Sequence, residues 1–160
     1  MTTLNCKGRL INISEPLVMG IINATSDSFY TQNKYAGLEN IVELARQMLA
    51  DGVNILDIGG LSTRPGAKSI STQEEIDRVV PVIDTIKKEF PDCFISVDTY
   101  KAKVAALAVA QGADIVNDIS AGSLDSAMLT TVAALNVPYI AMHMQGTPQT
   151  MQQQDRKSVV

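Results

Sequence analysis

Five short apolar runs, Leu17–Ile22, Ile55–Ile58, Cys93–Val97, Ile115–Val116 and Pro138–Met142, alternate with stretches whose apolar residues recur at helical spacing. Between the first two runs, Leu38, Ile41, Val42, Ala45, Met48 and Leu49 mark one helix, and Gly52 is placed to close it. A second helix is expected from Ser71–Thr72, with Glu74 and Glu75 set for a capping box and a stripe of Ile76, Val79, Val80, Ile83 and Ile86. Pro81 falls inside that stripe and predicts a kink or a late helix start. Lys101–Gln111 and Asp125–Leu135 carry two further helical patterns. An alternation of this kind reads as β-α-β-α, and therefore as a parallel sheet with helical crossovers.

The choice is then between an open doubly wound sheet and a (β/α)8 barrel. No glycine-rich dinucleotide or nucleotide fingerprint follows the first run. Instead, successive runs each end on a polar group: Asn23, the loop from Gly59 through Ser62, Thr63 and Arg64, then Asp98, Asn117–Asp118 and His143. An open sheet concentrates its site at one switch point, whereas a barrel gathers side chains from many strand ends. The barrel is the better reading.

Taken singly, these residues have plainer explanations. Asp98–Thr99 could cap the helix beginning near Lys101, and Asn117–Asp118 could form a turn. His143, flanked by methionines, reads first as a packed structural histidine. The segment ILDIGGLSTRPG, Ile55–Gly66, is harder to dismiss, because hydroxyls, Arg64 and glycine-loosened backbone together suit an oxyanion or a carboxylate.

The remaining composition narrows the partners. A net charge of −4 argues against nucleic acid or an anionic membrane, since both recruit basic surfaces. Cys6 and Cys93 match no metal spacing and read as free thiols in a reducing compartment. With no secretory pattern at the start and no stretch long enough to span a bilayer, a cytoplasmic location is expected. At 160 residues the chain is read as a single domain, 1–160.

The segments MGIINATSDSF (Met19–Phe29), DIGGLSTRPG (Asp57–Gly66), SVDTY (Ser96–Tyr100), NDIS (Asn117–Ser120) and MHMQGTPQTMQ (Met142–Gln152) together resemble the dihydropteroate synthase family in order and spacing. That resemblance implies a pterin-binding (β/α)8 barrel joining 6-hydroxymethyl-7,8-dihydropterin diphosphate to p-aminobenzoate, with release of diphosphate. It implies that Asp98 and Asn117 bond the pterin edge and that Met142 packs on its pocket. Asn23 should help hold Mg²⁺ with the diphosphate. Thr63, Arg64 and Pro65, with the loop reaching Phe29, should close over diphosphate and benzoate. The catalytic set so implied is Asp98, Arg64 and Asn23. Sulfonamides would compete with the benzoate, and family members of full length are expected to be homodimers. Ser26 and Leu61 depart from the family, which usually has proline at the first position and often a polar residue at the second.

A complete barrel needs about 250 residues. The chain is therefore read as the N-terminal portion of such an enzyme, about five strands and four helices, lacking the family's later pterin and diphosphate ligands. Open sheet edges and weak or absent activity in isolation are expected of it. A corrinoid-dependent methyltransferase domain and a non-catalytic pterin-binding or association module are the alternative readings.

Overall fold

The computed structural model describes residues 2–24, 34–61 and 70–143. A hairpin of β1 (Thr3–Cys6) and β2 (Arg9–Asn12) comes first. There follow β3 (Met19–Asn23), α1 (Lys34–Ala50), β4 (Ile55–Gly59), α2 (Thr72–Glu89), β5 (Phe94–Asp98), α3 (Ala102–Gln111), β6 (Ile115–Asp118), α4 (Met128–Leu135) and β7 (Tyr139–Ala141). The last five strands form one parallel sheet in strict sequence order, β3-β4-β5-β6-β7. A doubly wound sheet reverses its strand order at a switch point. This one does not reverse, and it matches part of a barrel.

Strand parity divides the sheet into two faces. Ile22, Leu56, Ile58, Ile95, Val97 and Val116 point outward, into a buried core shared with Ile41 and Ala45 of α1, Val79 and Ile83 of α2, Val104 and Ala108 of α3, and Met128 of α4. The inner face begins with Met19, Ile55, Phe94 and Ile115 at the strands' N-terminal ends, where the hairpin's Leu4, Cys6 and Ile11 pack on them. The hairpin is the one described element that the periodicity did not announce, because its strands are four residues each and mix polar with apolar positions.

Most helix boundaries follow local chemistry. Gly52 sits at φ +96°, a conformation costly for any residue with a Cβ, and Val53 N–H closes on the Met48 carbonyl at 3.0 Å. Ser71 caps α2, its hydroxyl accepting from Glu74 N–H at 3.1 Å. The late start expected at Pro81 does not occur, and α2 runs continuously from Thr72 through Pro81 to Glu89. Proline inside a helix costs about 3 kcal/mol. Val79, Val82, Ile83 and Ile86 are all fully buried around it, and each is worth about 1.5–3 kcal/mol in burial, so packing outweighs the lost bond.

Within the described sheet β3 and β7 each pair on one side only, and the inward-facing Ile21 and Ile140 are 63% and 38% exposed.

Candidate pterin site

The site is built on one row of the sheet. Asn23 pairs with Gly59, Gly59 with Asp98, Asp98 with Asn117, and Asn117 with Ile140. These residues share the inner face at the C-terminal ends of their strands, so Asp98 and Asn117 stand side by side, with Asn23 on the same row two strands from Asp98. Gly59 leaves room for its neighbour: a Cβ there would lie 3.4 Å from Asp98 Oδ2. Asn23 is exposed at the end of the edge strand. Met142 is exposed just past β7, where its N–H bonds the Asp118 carbonyl at 3.0 Å. Phe29, Thr63, Arg64 and Pro65 lie outside the described residues, as does Ser26.

One row deeper, Asp57 and Ser96 face the same interior. Asp57 is 5% exposed, and its Oδ2 accepts from Asn117 Nδ2 at 3.0 Å. An ionised carboxylate can only accept, so this bond fixes the amide with its carbonyl oxygen left for a ligand. In the sequence Asp57 is only a charge within the apolar run Ile55–Ile58. Its role depends on Asn117, sixty residues away, which no local pattern reports.

The plainer readings of two segments separate cleanly. Asp98 does not cap α3. The Ala102 N–H is taken by Asp125 Oδ2 at 2.8 Å, and Thr99 Oγ1 accepts from Lys101 N–H at 3.1 Å. Asp118 is the turn former of its pair, accepting from Ser120 N–H at 2.7 Å, Gly122 N–H at 2.8 Å and Tyr139 Oη–H at 2.7 Å, while Asn117 faces inward. Burial and the bond to Asp118 both hold the Tyr139 phenol protonated. His143 is exposed rather than packed, since β7 ends at Ala141 and the chain has already left the sheet.

Electrostatics distinguish Asp98 from ordinary carboxylates. Burial is the main cause lifting its pKa to about 7, and the neighbouring carboxylates Asp57, Glu75 and Asp118 add to it. The Asp57 pKa is also raised by burial, and the hydrogen bond from Asn117 opposes the rise. The row thus offers a half-buried carboxyl able to hold or release a proton near neutrality, beside an amide whose acceptor is aimed inward. That pairing suits a flat heterocycle presenting adjacent N–H groups.

A family profile described as pterin binding enzyme matches residues 19–160. The chain belongs to the pterin-binding enzyme family. It is 45% identical over 138 residues to a dihydropteroate synthase of Streptococcus pyogenes, covering 86% of this chain and 52% of that protein. It is 48% identical over 140 residues to a mitochondrial folate synthesis bifunctional protein of Arabidopsis thaliana, covering 86% of this chain and 25% of that one. A crystal structure of Xanthomonas albilineans dihydropteroate synthase with 4-aminobenzoic acid superposes with a TM-score of 0.82 at 41% identity, over 90% of this chain and 52% of its own. The chain therefore spans about half of the synthases it matches.

Among the described residues no cluster of three His, Cys, Asp or Glu side chains is arranged to hold a metal ion, and no helix is long and apolar enough to cross a membrane.

Proposed function

We propose that this chain forms the pterin-holding half of a dihydropteroate synthase, which joins 6-hydroxymethyl-7,8-dihydropterin diphosphate to p-aminobenzoate. The observation that carries the reading is the Asp98–Asn117 pair on one row of the inner face, with Asp57 orienting the amide. The ionised Asp98 accepts N–H bonds from the pterin edge, and Asn117 Oδ1 accepts a second. Met142 packs at the rim.

In the reaction, the methylene–oxygen bond breaks and diphosphate leaves with the electron pair. Positive charge develops on the methylene and spreads into the pterin ring. A carboxylate bonded to that ring attracts the cation more strongly than the neutral substrate, which is differential stabilisation of the transition state. The p-aminobenzoate nitrogen then bonds the methylene and loses a proton. An arylamine needs no strong base for this attack. Arg64, with Thr63, Pro65 and Phe29, is assigned to the diphosphate and benzoate, since a guanidinium can bond two oxygens at once.

Asn23 is the residue that would hold Mg²⁺ together with the diphosphate. Asn23 is exposed at its strand end, and an amide oxygen is a ligand type that suits a small hard cation whose other ligands are water and phosphate oxygens. When bound, the ion supplies charge neutralisation of the leaving group. Sulfonamides would compete at the benzoate position. The two free cysteines, Cys6 and Cys93, suit a reducing compartment such as the cytoplasm.

The test is diphosphate release from the dihydropterin diphosphate with Mg²⁺, with and without p-aminobenzoate. Release that depends on p-aminobenzoate is the synthase result. Turnover with methyltetrahydrofolate and indifference to p-aminobenzoate would replace this reading with a methyltransferase.

A further inference from the structure

Glu75 is 1% exposed, on the first turn of α2, outside the row of residues that faces the pocket. The sequence pattern assigns it to helix capping, but the Ser71 hydroxyl caps α2 by accepting from Glu74 N–H, and the Glu74 carboxylate pairs with Arg78 at the surface. Burying a second carboxylate beside it is costly, and a well-packed apolar side chain would avoid the cost.

What Glu75 holds is specific. Its Oε1 accepts from Thr99 Oγ1 at 2.6 Å, and Thr99 follows Asp98 directly in the chain. Its Oε2 lies 2.9 Å from Lys101 Nζ, which also donates to the Ile70 carbonyl at 2.8 Å. Thr99 N–H in turn bonds the Asn117 carbonyl at 3.0 Å. On the other side, Gly60 rests on the same side chain: a Cβ there would lie 3.2 Å from Glu75 Cγ and 2.9 Å from Val79 Cγ1. The Gly60 carbonyl is held by Arg78 at 3.0 Å. One buried carboxylate therefore ties the first turn of α2 to the residues just after β5, packs against Gly60 after β4, and reaches β6 through the Thr99 backbone.

We propose that Glu75 is a positioning residue for the pterin pocket, setting the backbone behind Asp98 and Asn117 through Thr99 and Lys101 without touching the ligand. The name of the ligand rests on the function proposed above, while the coupling itself does not. Glu75 also contributes to the field at Asp98, as do the charges of Asp57 on β4 and Asp118 on β6.

The test has two readouts. Carboxyl-carbon NMR follows the titration of Asp98 in the wild type and in Glu75→Gln, which keeps an acceptor for Thr99 but removes the charge. The Asp98 midpoint should move down from about 7 in the variant. Thr99→Val leaves the Glu75–Lys101 pair in place and carries the test should Glu75→Gln not fold. In Thr99→Val, amide resonances of Gly60, Asp98 and Asn117 should shift together, and affinity for 6-hydroxymethylpterin should fall about tenfold, the scale of a lost bond to a charged acceptor. An unmoved Asp98 titration in Glu75→Gln, or shifts confined to the neighbours of Thr99 with unchanged pterin affinity, would overturn the proposal. A wild type that binds no pterin would overturn the functional reading alone, and the two NMR readouts would still decide the role of Glu75.

Discussion

The two ends of the parallel strands treat an aspartate in opposite ways. At the N-terminal end, Asp114 is 5% exposed and surrounded by donors: Lys87 Nζ at 3.1 Å, Arg9 at 3.0 Å and the Ile95 N–H at 3.0 Å. The Arg9 guanidinium also lies 4.1 Å above the Phe94 ring, and the Lys7 ammonium bonds the Val109 carbonyl at 2.7 Å, so the hairpin is fastened to that end. At the C-terminal end, Asp98 has burial and three carboxylates acting on it, and its proton is held to about pH 7. Compensated charge at one end holds the fold closed. Uncompensated charge at the other lowers stability and leaves a group ready for a ligand, which is the trade expected of a working site.

The comparison can be broken from either end. The largest effect is expected from Asp114→Ala, which strands two cations and a backbone N–H beneath the hairpin. It should cost about 3 kcal/mol or more in urea unfolding at neutral pH, the scale for a broken buried pair. Asp98→Asn should act oppositely, with a higher unfolding midpoint above pH 7 but pterin affinity reduced at least about tenfold, the scale of lost charge-assisted bonds. Equal destabilisation by both substitutions would remove the contrast.

The pH dependence sharpens the same point. The Asp98 pKa of about 7 lies above the ordinary 3.8, so between those values the folded chain keeps a proton that the unfolded chain has lost. Its contribution to stability is therefore greatest at the acid end and falls as pH rises from about 4 to about 7. A stability curve measured in Asp98→Asn should lose that decline. The smallest effect is expected from Asp57→Asn. With an amide in place of the carboxylate, Asn117 is no longer fixed with its oxygen toward the pocket, and pterin affinity should fall about three- to tenfold. Calorimetric titration with the pterin would read this, and an unchanged affinity would detach Asp57 from the site.

Much of this was legible from the sequence, for identifiable reasons. The five apolar runs became β3 to β7, because strands buried on the outer face read as short aliphatic blocks such as Ile55–Ile58. Asp98 and Asn117 stood out because they end such blocks. The hairpin did not, since its strands gain their burial only against the ends of the other strands. The late start considered at Pro81 fails because helix propensity is local, while the packing of α2 is not. Glu75 and Asp57 were read as a cap and a strand residue, because each takes its meaning from a partner far along the chain, Thr99 in one case and Asn117 in the other.

The central claim is that the uncompensated end of the sheet is a pterin site whose ligand is received by an ionised Asp98. Calorimetric titration of the wild type and Asp98→Asn with 6-hydroxymethylpterin, from the acid to the alkaline side of pH 7, tests it most directly. The account predicts that wild-type affinity rises with pH, with a midpoint near the Asp98 value of about 7, and that Asp98→Asn binds weakly with no such rise. Binding of equal strength in both proteins, flat across that range, would contradict it.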